Sequence, residues 1–290
     1  MRRYLMAGVA LALTAPVAAQ SPSAALTADP ARDVSHPARL AQVRYSSGAV
    51  EIPARMFVAA GAGAHPTVLL LHGYPGTELN LDLARVLQRA GWNVLAIHYR
   101  GVWGAPGTFS FSHVIEDAHA ALAWLRSPGA QKYGVDAKRI VALGHSMGGF
   151  ATLMLGDDRQ IAGYVLISAA DMSDAASRAN DPARRADFAD NASYTNASVE
   201  SLFEDARTHQ VEWNWANRAK LLAGRPVLVL TSDDGLAPTG QAAARAIETA
   251  GGPKPTVVHM TTDHSFNDHR VALSSTVLAW LERNIRSAGR

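Results

Sequence analysis

One stretch constrains the fold of this chain more than any other: Arg139-Ile-Val-Ala-Leu-Gly-His-Ser-Met-Gly-Gly149. An apolar run leads without a break into Gly144-His145-Ser146-Met147-Gly148, and helix-forming residues follow. A strand that ends in a Gly-x-Ser-x-Gly turn and hands over to a helix projects the serine hydroxyl from a tight, strained corner. Gly144 and Gly148 remove side chains that would collide in that corner. The helix that opens after Ser146 points its positive N-terminus at any oxyanion formed there. The pattern predicts Ser146 as a nucleophile. Its bland alternative is a glycine-rich turn between a strand and a helix.

A serine hydroxyl is a weak nucleophile without a base. On a strand–turn–helix nucleophile of this kind the base is a histidine late in the chain, and an acid lies between the two. Thr256–Met260 reads as the last strand, and Thr261-Thr262-Asp263-His264 follows it. His264 is the predicted base; its rival, His269, already stands at the start of the last helix. The acid is sought after the strand Pro226–Thr231, where Ser232-Asp233-Asp234-Gly235 supplies two carboxylates. Asp234, four residues before Pro238, is preferred over Asp233, which is expected to brace the loop. Asp171 is a third candidate, and turn chemistry alone also favours Asp at such places. The oxyanion needs two backbone donors. Met147 N–H is one. The other is placed in His72-Gly73-Tyr74-Pro75-Gly76, where Tyr74 can donate and Pro75 cannot.

Around these residues the chain alternates short apolar strands with amphipathic helices. Strands are expected at Gln42–Ser46, Ala49–Ala59, Thr67–Leu71, Asn93–His98, Arg139–Leu143, Gly163–Ser168, Pro226–Thr231 and Thr256–Met260. One helix is marked by Leu83, Val86, Leu87 and Ala90 and stopped by Gly91, another by Val114, Ala118, Ala121 and Leu125, another spans Ala242–Ala250, and the last carries Leu273, Val277, Trp280 and Leu281. Apolar strands separated by such helices predict an α/β fold with a mostly parallel sheet covered on both faces. Ligands of such sheets bind beyond the C-terminal strand ends, where every candidate above falls. Residues 171–222 break the rhythm and predict a mostly helical insertion over that edge, with Phe203, Trp213 and Trp215 as its apolar content; it is either a small lid or a surface excursion without a role toward substrate. The domain expected from these patterns spans residues 41–290.

Residues 1–19 read as a secretory signal peptide: Arg2 and Arg3, an apolar run from Tyr4 to Ala15, then Pro16-Val17-Ala18-Ala19 with small residues at the cleavage positions. The run is too short for a membrane anchor, which needs about 20 residues. Residues 20–40 are expected to form a flexible leader. Cleavage before Gln20 removes two of the 27 basic residues and none of the 25 acidic ones, leaving a formal charge of zero. The apparent basicity thus belongs to the signal, and neither a nucleic acid nor stable membrane insertion is expected. With no cysteine among the 290 residues, a thiol nucleophile, a thiolate metal site and disulfides are excluded. That composition fits a bacterial periplasmic or secreted protein. The sequons Asn191-Ala-Ser193 and Asn196-Ala-Ser198 are read as chance in that setting. The histidines show no metal spacing, so no metal and no cofactor are expected.

The His72-Gly73 loop, the Ser146 turn, the Asp234 loop and His264 together resemble the α/β-hydrolase superfamily over about residues 42–286. Within it, Tyr99-Arg-Gly-Val-Trp-Gly-Ala-Pro-Gly107 is similar to a segment of prolyl-oligopeptidase-like and dienelactone-hydrolase-like members. The resemblance implies an eight-stranded sheet with one antiparallel strand near the start. It also implies cofactor-free hydrolysis of an ester or amide through an acyl-enzyme on a Ser-His-Asp triad. The chain departs from those relatives in lacking a propeller domain and in having Ser146 in place of cysteine. His72, Gly73, Arg100 and Trp103 are candidate substrate-pocket residues, although Arg100 can equally brace its loop and Trp103 pack. A carboxylesterase is preferred. A small peptidase, an acyltransferase on the same triad and a non-catalytic hydrolase-fold binding protein are the alternatives.

Overall fold

A computed structural model describes residues 23–286; the expected signal peptide and the first residues of the leader lie outside that range. Eight strands form one sheet: β1 (Arg39–Ser47), β2 (Val50–Val58), β3 (His65–Leu71), β4 (Asn93–Ile97), β5 (Val135–His145), β6 (Gly163–Ile167), β7 (Val227–Thr231) and β8 (Thr256–His259). Their order is β1-β2-β4-β3-β5-β6-β7-β8. β2 runs antiparallel to both neighbours. From β4 to β8 every pairing is parallel. The α/β sheet with one antiparallel strand near its start is therefore present.

The apolar strands follow from double-sided burial. Leu69, Leu71 and Ala142 face one core, with Phe111, Val114, Phe150 and Ile247 from covering helices. Val68, Leu70, Val141 and Leu143 face the other, with Leu83, Leu87, Leu273, Val277 and Trp280. A strand buried on both sides cannot alternate polar and apolar residues, so it reads as a continuous apolar run. β8 differs. It closes the sheet as an edge, and Val257 is 45% exposed.

The helices fall where the 3.6-residue periodicity sets them. Leu81–Arg89 is stopped by Gly91 at φ 86°. Phe111–Leu125 is capped by Ser110, whose hydroxyl accepts the His113 amide. One boundary shifts: the helix expected over Ala242–Ala250 begins at Ala237, because Pro238 sits in its first turn, where no amide is needed. β5 starts at Val135, four residues earlier than expected, since Val135 pairs with His65 beyond an irregularity in β3.

Between β6 and β7 lie a short 3-10 segment at Met172–Arg178 and helices Pro182–Ala192, Val199–His209 and Trp215–Lys220. They form the helical insertion. The first of these α-helices opens on Asp181-Pro182, where Asp181 accepts the Ala183 amide at 2.9 Å. Phe203, Trp213 and Trp215 are buried, and Trp213 packs edge-on against Phe150. In the leader, Ala24–Thr27 forms one helical turn, and the Arg89 guanidinium donates to the Ala25 carbonyl. Among the described residues no helix is long and apolar enough to cross a membrane.

Candidate active site

Ser146 stands between β5 and the helix Met147–Met154, with φ 56° and ψ −122°. A left-handed serine costs on the order of 1–3 kcal/mol and persists only where its surroundings over-determine it. Here they do. Ser146 N–H donates to Ile167 O at 2.9 Å, and Ser146 O accepts the amides of Gly149 and Ala170. The corner also needs its glycines: a Cβ on Gly148 would lie 2.0 Å from Leu71 O, and one on Gly144 would lie 1.9 Å from Gly148 O.

The loops after β3, β5, β7 and β8 converge at the C-terminal edge of the sheet. There a cavity of about 450 Å³ is lined by Gly73, Tyr74, Ser146, Met147, Asp234 and His264. His264 Nδ1 lies 2.6 Å from Asp234 Oδ2. Asp234 is almost fully buried, whereas the His264 ring is 40% exposed. Burial alone would raise the Asp234 carboxyl. Hydrogen bonds from His264, the Leu236 amide and Ser168 outweigh that and hold it below the usual carboxylate range. An ionised, buried carboxylate on Nδ1 fixes the tautomer that leaves Nε2 free to take a proton.

Asp233, one residue away, belongs to a different contact. Its Oδ1 lies 3.0 Å from Nε2 of His259, whose Nδ1 lies 2.9 Å from the Thr231 hydroxyl. His269 sits on Asp268 at 2.9 Å and does not line the cavity. Asp171 does line it, with Oδ1 occupied by the amide and hydroxyl of Ser173.

The Tyr74 and Met147 amides have no protein acceptor among the described residues. Gly73 passes so close to Ser146 that a Cβ on it would lie 2.9 Å from Ser146 Cβ and 3.4 Å from Oγ. His72 supports this loop from behind: it is buried, and its Nδ1 lies 2.7 Å from Gly73 O. Arg100 is turned away from the cavity. Its Nε donates to Asp117 Oδ1 at 2.7 Å and its Nη2 to Glu116 at 2.6 Å, which braces its loop to the helix Phe111–Leu125. Trp103 stacks on Tyr194 and donates its indole N–H to Pro75 O. Of the four candidate pocket residues, only Gly73 lines this cavity.

The residues of the opposite wall were not among the expected site residues. Met172, Arg184, Asp187 and Phe188 of the insertion face the cavity. The Tyr74 ring stacks between Phe109 and Phe188, and its hydroxyl donates to Phe188 O at 3.3 Å. The Asp181-Pro182 start signal marks this helix, but nothing local tells which of its faces meets Tyr74.

His145 was also missed. Its ring lies 4.6 Å from that of His264, and its Nε2 lies 2.8 Å from the His264 carbonyl. Burial pushes His145 down to about 3 and His72 down to about 4. A neutral His145 therefore donates Nε2–H to that carbonyl and holds the loop that carries His264. In the unfolded chain both rings titrate near the ordinary 6.5. The unfolded state thus takes up protons first, so this contribution to stability is complete above about pH 6.5 and is lost as pH falls toward the folded values. Each ring is expected to cost about 2 kcal/mol of stability between about pH 7 and pH 5. Urea unfolding of the wild type and of His145→Gln at both pH values checks this. The variant should lose about half of the pair's pH dependence; an unchanged slope would contradict the assignment.

The fold and this loop arrangement define a class of protein. The α/β-hydrolase fold family model matches residues 72–268, and the chain belongs to that family. A Carboxylic ester hydrolase LipN of Mycobacterium tuberculosis is 34% identical over 104 residues, which cover 34% of this chain and 27% of that protein. The match thus spans about a quarter of the relative's length. Among solved structures, an acylaminoacyl peptidase of Pyrococcus horikoshii superposes with a TM-score of 0.66 at 12% identity, over 86% of this chain and 42% of its own. The esterase Pf2001 of Pyrococcus furiosus gives 0.63 at 18% identity, over 89% of this chain and 99% of its own. The carboxylesterase EstE1, from a metagenomic library, gives 0.63 at 22% identity, over 86% and 90%.

Proposed function

We propose that the chain is a serine hydrolase that cleaves small carboxylic esters through an acyl-enzyme. The observation that carries this reading is the His264–Asp234 pair at 2.6 Å, set in one cavity with a left-handed Ser146 at a helix N-terminus. His264 takes the Ser146 proton as Oγ attacks the ester carbonyl. The developing oxyanion is held by the N–H groups of Tyr74 and Met147. His264 then protonates the leaving alcohol and activates a water that releases the acid. Asp234 keeps the imidazole oriented and stabilises its cationic form. The likeness to the mycobacterial ester hydrolase and to the two esterases supports ester over amide substrates. The volume of about 450 Å³ suits a small ligand.

The acylaminoacyl peptidase likeness keeps a second reading in view, that of a small peptidase. Nitrophenyl esters of graded acyl length and aminoacyl anilides, offered to the purified chain, separate the two. Ester turnover with little anilide cleavage is expected; cleavage of anilides alone would establish the peptidase, and turnover of neither would leave a binding protein. Acyl transfer to an added alcohol in place of water would mark an acyltransferase. In the same reading residues 1–19 direct export to the periplasm or medium. N-terminal sequencing of the exported protein should begin at Gln20, and an intact Met1 would contradict it.

A further inference from the structure

A second cavity, of about 720 Å³, lies between the β1–β2 hairpin, the loop after β4 and the C-terminal end of the helix Phe111–Leu125. Its wall carries three cations, Arg44, Arg55 and Lys132, and no aspartate or glutamate. None of the three has a carboxylate partner among the described residues, whereas Arg100, Arg126, Arg139 and Arg270 are all ion-paired. The contrast is local, because the whole chain is nearly balanced, at +2. Three like charges around one concavity repel one another, and an anion between them would relieve that cost. Trp103, Trp124 and Tyr133 give the wall an aromatic part, beside the apolar Val43, Pro53 and Ala54. His98 completes it, with Nδ1 shielded from solvent and without a partner. Burial, and then the Arg55 charge, hold His98 below its ordinary value, so the ring adds no charge of its own to the wall.

The geometry points to this cavity as a binding site for a small organic carboxylate with an aromatic or apolar body. The charge matches Arg44, Arg55 and Lys132, which sits over the Tyr133 ring at 5.1 Å, and the body matches the apolar and indole parts of the wall. An inorganic anion would use the cations alone. The site lies behind the oxyanion loop. Trp103, on its wall, donates to Pro75 O at 3.0 Å, and Pro75 lines the first cavity. His98 meets His72 in a T-shaped contact at 5.8 Å, and His72 holds Gly73 O. The inference goes beyond the catalytic reading and does not depend on it.

Calorimetric titration of the full chain with benzoate, benzamide and inorganic phosphate tests it. Benzoate should bind about tenfold or more tightly than benzamide or phosphate, and Arg55→Gln/Lys132→Gln should weaken benzoate by a similar factor. The double variant should keep wild-type ester turnover in the absence of benzoate. If it folds poorly, Lys132→Gln alone, on an exposed side chain, should still weaken binding. Arg55→Lys, which keeps the charge, should retain most of it. Three results would overturn the site: no benzoate binding, equal affinity for benzamide, or benzoate affinity unchanged in the charge-removing variants, which would place the ligand in the first cavity.

Discussion

Ser146→Ala is expected to lower ester kcat by a factor on the order of 10⁵–10⁶ while leaving the fold intact. The size follows from what the side chain does. Every step proposed here passes through a bond to Oγ, so its loss removes the acyl-enzyme route altogether. What remains is uncatalysed attack by water, assisted by substrate binding and the two amides of the oxyanion site. Stability should change little. The strain at φ 56° belongs to the backbone, and alanine carries it as serine does. The Ser146 amide and carbonyl keep their bonds to Ile167, Gly149 and Ala170. Steady-state rates on a nitrophenyl ester, with thermal unfolding alongside, check both halves. A variant within tenfold of wild type would remove Ser146 from the chemistry.

The second large effect separates two neighbouring carboxylates. Asp234→Asn should cost on the order of 10⁴ in kcat, because an amide on His264 Nδ1 favours the wrong tautomer and cannot stabilise the imidazolium. Asp233→Asn should stay within a few-fold of wild type. Its partner is His259, and that pair is half exposed on the rim of the sheet. KM should move little in either case, since neither change alters the uniform binding of substrate. Equal losses in the two variants would contradict the division of labour drawn here.

That division marks where the sequence stops being legible. The strand-to-helix corner at Ser146, the late His264 and the carboxylates after β7 all follow from local pattern and chain order. The preference for Asp234 over Asp233 rests, in the sequence, only on its spacing from Pro238. Both lie in one loop, and only the tertiary placement of His259 and His264 tells them apart. Arg100 makes the same point in reverse. The sequence left Arg100 open between lining the pocket and bracing its loop, and Asp117, seventeen residues on, draws it into a buried ion pair. The periodicity of the helix Phe111–Leu125 shows its apolar stripe and not that its Asp117 is inside. The stretch 171–222 was legible as helical through its composition and its lack of any strand pattern. Its contribution to the cavity, through Phe188 on Tyr74, depends on how one helix rolls against a loop over a hundred residues earlier. The contact of His145 with His264 spans 119 residues, so no local pattern carries it.

In the proposed chemistry Ser146 Oγ forms the covalent bond, and a fluorophosphonate reads that directly. Wild-type protein should take up one phosphonyl group, and digestion followed by mass spectrometry should place it on the peptide containing Ser146. Ser146→Ala should remain unlabelled, and Asp234→Asn should label far more slowly than wild type. Equal labelling of wild type and Ser146→Ala, or an adduct mapped to any other residue, would contradict it.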